Sequence, residues 1–102
     1  MTFNIENYIK KQKDWIDRQF PDVTQEAIIK HIKKELSEIE EDLNDVEEWV
    51  DVIILAIHGA LKIEGVTPEV LALELISKQR KNFQRKWPEK YDINEPVEHV
   101  KG

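Results

Sequence analysis

The sequence predicts an all-α fold, a four-helix antiparallel bundle that assembles as a homo-oligomer. Three observations carry this. The 102 residues include only 3 Gly and 4 Pro, which disfavours a β-rich fold. Helix-stopping residues fall at Pro21, Asn44-Asp45, Gly65 and Pro88 and cut the chain into four segments and a tail. Within the segments, apolar residues recur at three- and four-residue steps, the period of one helix face.

The first segment, about residues 3–20, places Ile5, Tyr8, Ile9, Trp15, Ile16 and Phe20 on an amphipathic helix that Pro21 ends. Thr24 is positioned to cap the second, which runs to about residue 43, with Ile28, Ile32, Leu36, Ile39 and Leu43 as its core stripe. The third, about residues 46–64, is apolar on most sides and is expected to be the most buried. Its apolar surface exceeds what one four-helix monomer can cover, which argues for self-association. Gly65 suits the position after its end. Thr67, Pro68 and Glu69 then read as cap, first helical residue and first-turn acid of the fourth segment, which Pro88 stops after about residue 87. Residues 1–88 are expected to form a single helical catalytic domain and residues 89–102 an extended or mobile C-terminal tail.

Composition excludes several function classes. The absence of Cys removes disulfides and Cys-ligated zinc, and leaves the cytoplasm as the default compartment. A formal net charge of −6, from 21 acids and 15 bases, argues against a general nucleic-acid binder. No apolar run approaches the ~18 residues of a membrane span.

The charge is concentrated. Between Glu35 and Leu61 stand nine acids and no Lys or Arg. Glu35-Leu36-Ser37-Glu38 and Glu48-Trp49-Val50-Asp51 each put carboxylates at i and i+3, on one helix face. Consecutive helices joined near Asn44 bring the two pairs opposite one another at similar height. Asp51 lies in the most apolar stretch of the chain, on a helix expected to leave little room for a solvated face, where an unpartnered carboxylate is costly. Four carboxylates in one groove repel unless a cation stands between them, and oxygen-only ligation selects a hard ion, Mg²⁺ or Mn²⁺. Helical di-iron sites instead use Glu-x-x-His on two helices, and no His follows Glu35 or Glu48 at that spacing. For Glu40, Glu41, Asp45 and Glu47 an ordinary solvated face is the better reading.

These residues carry a resemblance. Lys34-Glu35-Leu36-x-Glu38-Ile39, then Glu47-Glu48-Trp49-x-Asp51-Val52-Ile53-Ile54-Leu55-Ala56 and Gly59-Ala60, resemble the paired acidic motif of the MazG-like all-α nucleoside triphosphate pyrophosphohydrolases. With Lys78-x-x-Lys81-Asn82-Phe83-x-x-Lys86-Trp87-Pro88 in order, the chain looks most like their compact dATP/dGTP diphosphohydrolase branch, known from phages and bacteria. The resemblance covers about residues 28–88. It departs at His58, where that branch often carries an acid. It implies Mg²⁺-dependent hydrolysis of a deoxynucleoside triphosphate to monophosphate and pyrophosphate, and an obligate homo-oligomer, dimer or tetramer, with sites near subunit interfaces. The expected setting is the cytoplasm of a bacterium or of a phage-infected host.

The chemistry fits the residues. Phosphoryl transfer needs positioning and charge neutralisation more than covalent help. Glu35, Glu38, Glu48 and Asp51 are the expected ligands of two or more Mg²⁺ ions, for which Mn²⁺ can substitute, and Glu35 or Glu38 is the expected proton acceptor. Lys78, Lys81, Asn82 and Arg85 are the phosphate or sugar candidates. His31, one turn before Glu35, is positioned to hydrogen-bond a ligating carboxylate or touch the nucleotide. His58 and His99 read as structural, as do Trp15, Trp49, Phe83 and Trp87, although any of these aromatics could stack on a base. A sibling specificity for dCTP or dUTP remains an alternative, as does a non-catalytic acidic bundle that docks a basic partner.

Overall fold

The computed structural model describes residues 4–101. Residue 3, the expected start of the first helix, and Gly102 lie outside the described residues. Four helices occur in chain order, α1 Ile5–Gln19, α2 Gln25–Glu41, α3 Val46–Leu61 and α4 Pro68–Gln84, and no strand occurs among the described residues. None of these helices is long and apolar enough to cross a membrane.

Each helix begins on a side-chain cap. Asn4 Oδ1 accepts from the Asn7 N–H at 3.1 Å, Thr24 Oγ1 from Ala27 at 3.1 Å, Asp45 Oδ1 from Glu47 at 3.1 Å and Thr67 Oγ1 from Val70 at 3.2 Å. The ends of α2, α3 and α4 come two or three residues earlier than periodicity alone suggests, and each has a local cause. After Glu41, the Asp42 carboxylate accepts from the Asn44 N–H at 3.1 Å, a turn bond that competes with continued helix. After Leu61, the Ile63 N–H donates to Ala60 at 3.2 Å, tightening the last turn, and Gly65 takes φ +82°, which a residue with a Cβ rarely adopts. After Gln84, the Trp87 indole N–H turns back to the Asn82 carbonyl at 2.8 Å and satisfies a helix-end acceptor.

The chain divides into two compact units, residues 1–72 and 73–102, with the division inside α4. In the first unit α2 and α3 pack against each other as a hairpin. The turn at 42–45 leaves them antiparallel, and α1 packs across α3. Ile9, Ile57 and Ala72 form the core, with Tyr8, Leu61 and Leu71 against it. Ile16, Ile28 and Ile39 are also buried. Ile9 is wholly inaccessible, and truncating such a residue to Ala costs about 2–5 kcal/mol. On the surface, Lys10 Nζ lies 3.3 Å from Glu69 and 3.4 Å from Glu6, tying α1 to the first turn of α4.

The third helix is the least exposed of the four, as expected, but its cover is partial: only Ile57 and His58 are fully buried, while Trp49, Val50 and Ile53 are exposed. The α2 stripe is likewise covered only in part, with Leu36 and Leu43 exposed. Among the described residues, the exposed apolar side chains of α3 are left without cover.

The second unit holds the rest of α4 and residues 85–101, which contain no regular element. Its terminal segment doubles back. The Val100 N–H donates to the Lys86 carbonyl at 2.7 Å, and the Trp87 and His99 rings meet edge to face at 6.0 Å.

Candidate functional site

The α2–α3 hairpin brings acids from both helices together near its turn. One carboxylate oxygen from each of Glu35, Glu38 and Glu48 lies within 4.8 Å of the other two. Glu35 is buried, and Glu38 and Glu48 are half-buried. One turn of α2 separates Glu35 from Glu38. Glu48 stands in the first turn of α3, where the helix dipole favours negative charge. Asp45 and Glu48 have the N-cap and N3 spacing of a capping box. Glu48 does not reach back to close it; its carboxyl turns to Glu35 and Glu38 instead.

Electrostatics follow from this convergence. A hydrogen bond with Glu35, then one with Glu38, then desolvation, push the Glu48 carboxyl up to about 7. Glu35 Oε2 and Glu48 Oε2 are buried without a hydrogen-bond partner. Buried carboxylate oxygens left unmatched are costly, and a set made only of hard oxygen donors suits Mg²⁺ or Mn²⁺. His31 Nε2 lies 3.3 Å from Glu35 Oε1, so the contact expected one turn before Glu35 is present. Glu40, Glu41 and Glu47 are exposed, and Asp45 caps α3.

Asp51 differs from its expectation. Its side chain is exposed and lies outside the group formed by Glu35, Glu38 and Glu48. The cause is the same missing cover along α3: the flank that carries Asp51 opens onto a cavity. That cavity, about 500 Å³, is bounded at one part by Glu35, Asp51 and His31, and elsewhere by Trp15, Phe20, Ile28, Leu55 and His58. Asp51 thus borders the same space as Glu35, one helical turn beyond Glu48.

His58, read from the sequence as structural, is buried in the structure. It is only 6% exposed, its Nε2 is buried with no partner, and it borders the cavity. Desolvation, followed by the nearby Lys62 charge, lowers its pKa below the ordinary 6.5, while Asp17 opposes the shift. The one signal in the sequence is its place two turns after Asp51 on the same flank of α3. Trp15 and Phe20 also border the cavity, meeting edge to face at 5.3 Å, whereas the Trp49 indole N–H donates to the Leu43 carbonyl at 3.1 Å.

Lys78, Lys81, Asn82 and Arg85 all belong to the second unit. Lys78 and Lys81 are exposed; Asn82 and Arg85 are half-buried, and Arg85 Nη1 donates to Asn82 Oδ1 at 3.1 Å. Arg85 also borders a cavity of about 670 Å³ with Lys86, His99 and Lys101, a concentration of positive charge within that unit.

Comparison with known proteins agrees with these features. The chain resembles the MazG-like pyrophosphohydrolase of cyanophage S-2L, solved bound to dGDP and three catalytic Mn²⁺ ions per active site, with a TM-score of 0.72 and 24% identity over 100% of this chain and 98% of that one. At that identity the likeness establishes the fold, an all-α MazG-like arrangement. No curated protein sequence matches significantly. The sequence profile of dATP/dGTP pyrophosphohydrolases matches residues 8–102, which include every residue of both acidic pairs. The chain therefore belongs to the dATP/dGTP pyrophosphohydrolase family, enzymes that act as nucleoside triphosphate diphosphatases.

Proposed function

We propose that this protein hydrolyses purine deoxynucleoside triphosphates, dATP or dGTP, to the monophosphate and pyrophosphate, with Glu35, Glu38, Glu48 and Asp51 holding two or more Mg²⁺ ions. The single observation that carries this reading is the convergence of Glu35, Glu38 and Glu48 within 4.8 Å, with buried oxygens on Glu35 and Glu48 left without partners. Bound divalent ions would neutralise the phosphates and acidify water. Glu35 and Glu38 are close enough to that site for one of them to take the proton of the attacking water as the α–β phosphoanhydride bond breaks. Asp51 extends the acidic edge toward the cavity, and Lys78, Lys81, Asn82 and Arg85 supply cationic and polar contacts to phosphate or sugar.

The exposed Trp49, Val50 and Ile53 of α3, with Leu36 and Leu43 of α2, support self-association as a dimer or tetramer. A cytoplasmic role in controlling the nucleotide pool follows from such an activity. Assay of all common NTPs and dNTPs for pyrophosphate release, with Mg²⁺ and with EDTA, tests the proposal. Release from dATP or dGTP that EDTA abolishes is expected. No release from any nucleotide would leave an acidic helical module instead.

A further inference from the structure

We propose that His58 is a specificity-determining residue whose Nε2 reads the polar edge of the purine base, seated in the cavity between α1 and the α2–α3 hairpin. The inference rests on the nucleotide-hydrolase reading and names the part of the chain that recognises the base.

Helical register gives the cavity a direction. Asp51 and His58 are seven residues apart on α3, which puts them on one flank with about 10 Å of helix between them. Glu35 and Ile28 have the same separation on α2, running back toward the start of that helix. Because α2 and α3 are antiparallel, Glu35 and Asp51 mark one end of the cavity, and Ile28 and His58 the other. All four border it. Acids that suit a metal–phosphate group are thus set about the length of a nucleoside away from the end of the cavity that holds His58, with His31 on α2 between the two ends.

The chamber suits a base better than a phosphate. Among the described residues its boundary includes no Lys or Arg, and Trp15 and Phe20 supply aromatic surface. About 500 Å³ lies within the ~300–1,000 Å³ typical of small-molecule sites. His58, more than nine-tenths buried, contributes a ring nitrogen that no protein group satisfies. Buried polar atoms are nearly always matched, so an orphan bordering a ligand-sized cavity points to a ligand atom as its partner. Burial also favours the neutral ring. Depending on tautomer, neutral Nε2 either accepts from an adenine amino group or donates to a guanine carbonyl, so one side chain serves both purines.

The test uses the wild-type protein first. The imidazole ¹⁵N resonances of His58, assigned by removing His31 and His99 in turn, are followed with Mg²⁺ and the α,β-imido analogues of dATP and dGTP, and with Mg²⁺ and tripolyphosphate. A His58 Nε2 shift with both nucleotides and none with tripolyphosphate is expected. No shift with the nucleotides, or the same shift with tripolyphosphate, overturns the proposal. His58→Phe is then assayed on dATP, dGTP and the triphosphate of deoxynebularine, whose purine lacks the exocyclic groups. Loss of kcat/KM by at least about tenfold on the first two, with a change under about twofold on the third, is expected for one lost base contact. Equal loss on all three marks a purely structural His58 and overturns it. Should His58→Phe not fold, the wild-type resonances decide. Should the wild type hydrolyse no nucleotide, the enzyme reading fails while the resonance shift still decides the base contact.

Discussion

Carboxylate oxygens of Glu48 on α3 and Glu35 on α2 lie within 4.8 Å of each other, and this approach between the first turn of one helix and the buried flank of the other pushes the Glu48 carboxyl up to about 7. A carboxyl raised from its ordinary 4.5 binds its proton more tightly in the folded chain than in the unfolded one. Between those values the folded state carries more protons, so stability falls as pH rises. Metal-free protein is expected to show a melting temperature that declines from about pH 4.5 to about pH 7. Glu48→Gln should flatten that slope. Melts in EDTA across this range check it, and a melting temperature that rises through the window would contradict the contact.

Divalent ions should act in the opposite sense. An ion between the carboxylates replaces the shared proton, so binding below about pH 7 should release protons and strengthen as pH rises. Titration calorimetry of Mg²⁺ in two buffers of different ionisation enthalpy reads the proton count directly. Buffer-independent heats at pH 6 would show that the ion binds elsewhere.

Much of this arrangement was legible in the sequence because local rules and tertiary need agree there. Thr24 and Thr67 cap the helices they were expected to cap, Gly65 adopts positive φ, and the spacing of Glu35, Glu38 and Glu48 about a short turn suffices to bring them together. Asp51 and His58 were harder to read. Periodicity gives the face a residue occupies, and cover depends on which element returns over that face. The apolar neighbours of Asp51 suggested burial, yet its side chain is exposed and borders a cavity. His58, equally unremarkable on a helical wheel, is buried where α1 packs across α3.

The basic residues of α4 separate binding from folding. Lys78 and Lys81 are exposed, so their removal should change stability by no more than about 0.5 kcal/mol. A charged contact to phosphate is worth about 1.5–3 kcal/mol, so Lys78→Ala and Lys81→Ala should raise KM with melting temperature held. Arg85→Ala also removes the bond to Asn82 Oδ1 and should combine a similar KM effect with a small loss of stability. Unchanged kinetics in all three would reduce this stretch to a solvated basic face.

Self-association should depend on the apolar side of α3. Trp49, Val50 and Ile53 are exposed in the single chain, together with Leu36 and Leu43 from α2. Exposed apolar side chains one helical turn apart, such as Trp49 and Ile53, suit an interface. Sedimentation at micromolar concentration should show a dimer or tetramer, and Ile53→Glu should shift it toward monomer, since an ion buried at an interface without a partner is costly. A stable 12.1 kDa species in the wild type would remove the idea.

Asp51 gives the sharpest test of the metal site because its exposure separates two roles. A buried structural Asp would weaken the fold when changed, with or without metal. An exposed Asp51 makes no such contribution, so Asp51→Asn in EDTA should melt within about 0.5 kcal/mol of wild type. If Asp51 holds a divalent ion beside Glu35, the substitution keeps its shape but removes the charge. Stabilisation by added Mg²⁺ should then shrink, because a ligand that binds only the folded state raises stability by mass action. Hydrolysis should fall by at least about a hundredfold, a transition-state loss of about 2.7 kcal/mol. Melts of both proteins with EDTA and with Mg²⁺, beside steady-state rates, separate the roles. Full activity with an undiminished Mg²⁺ shift would leave the ion to Glu35, Glu38 and Glu48 alone.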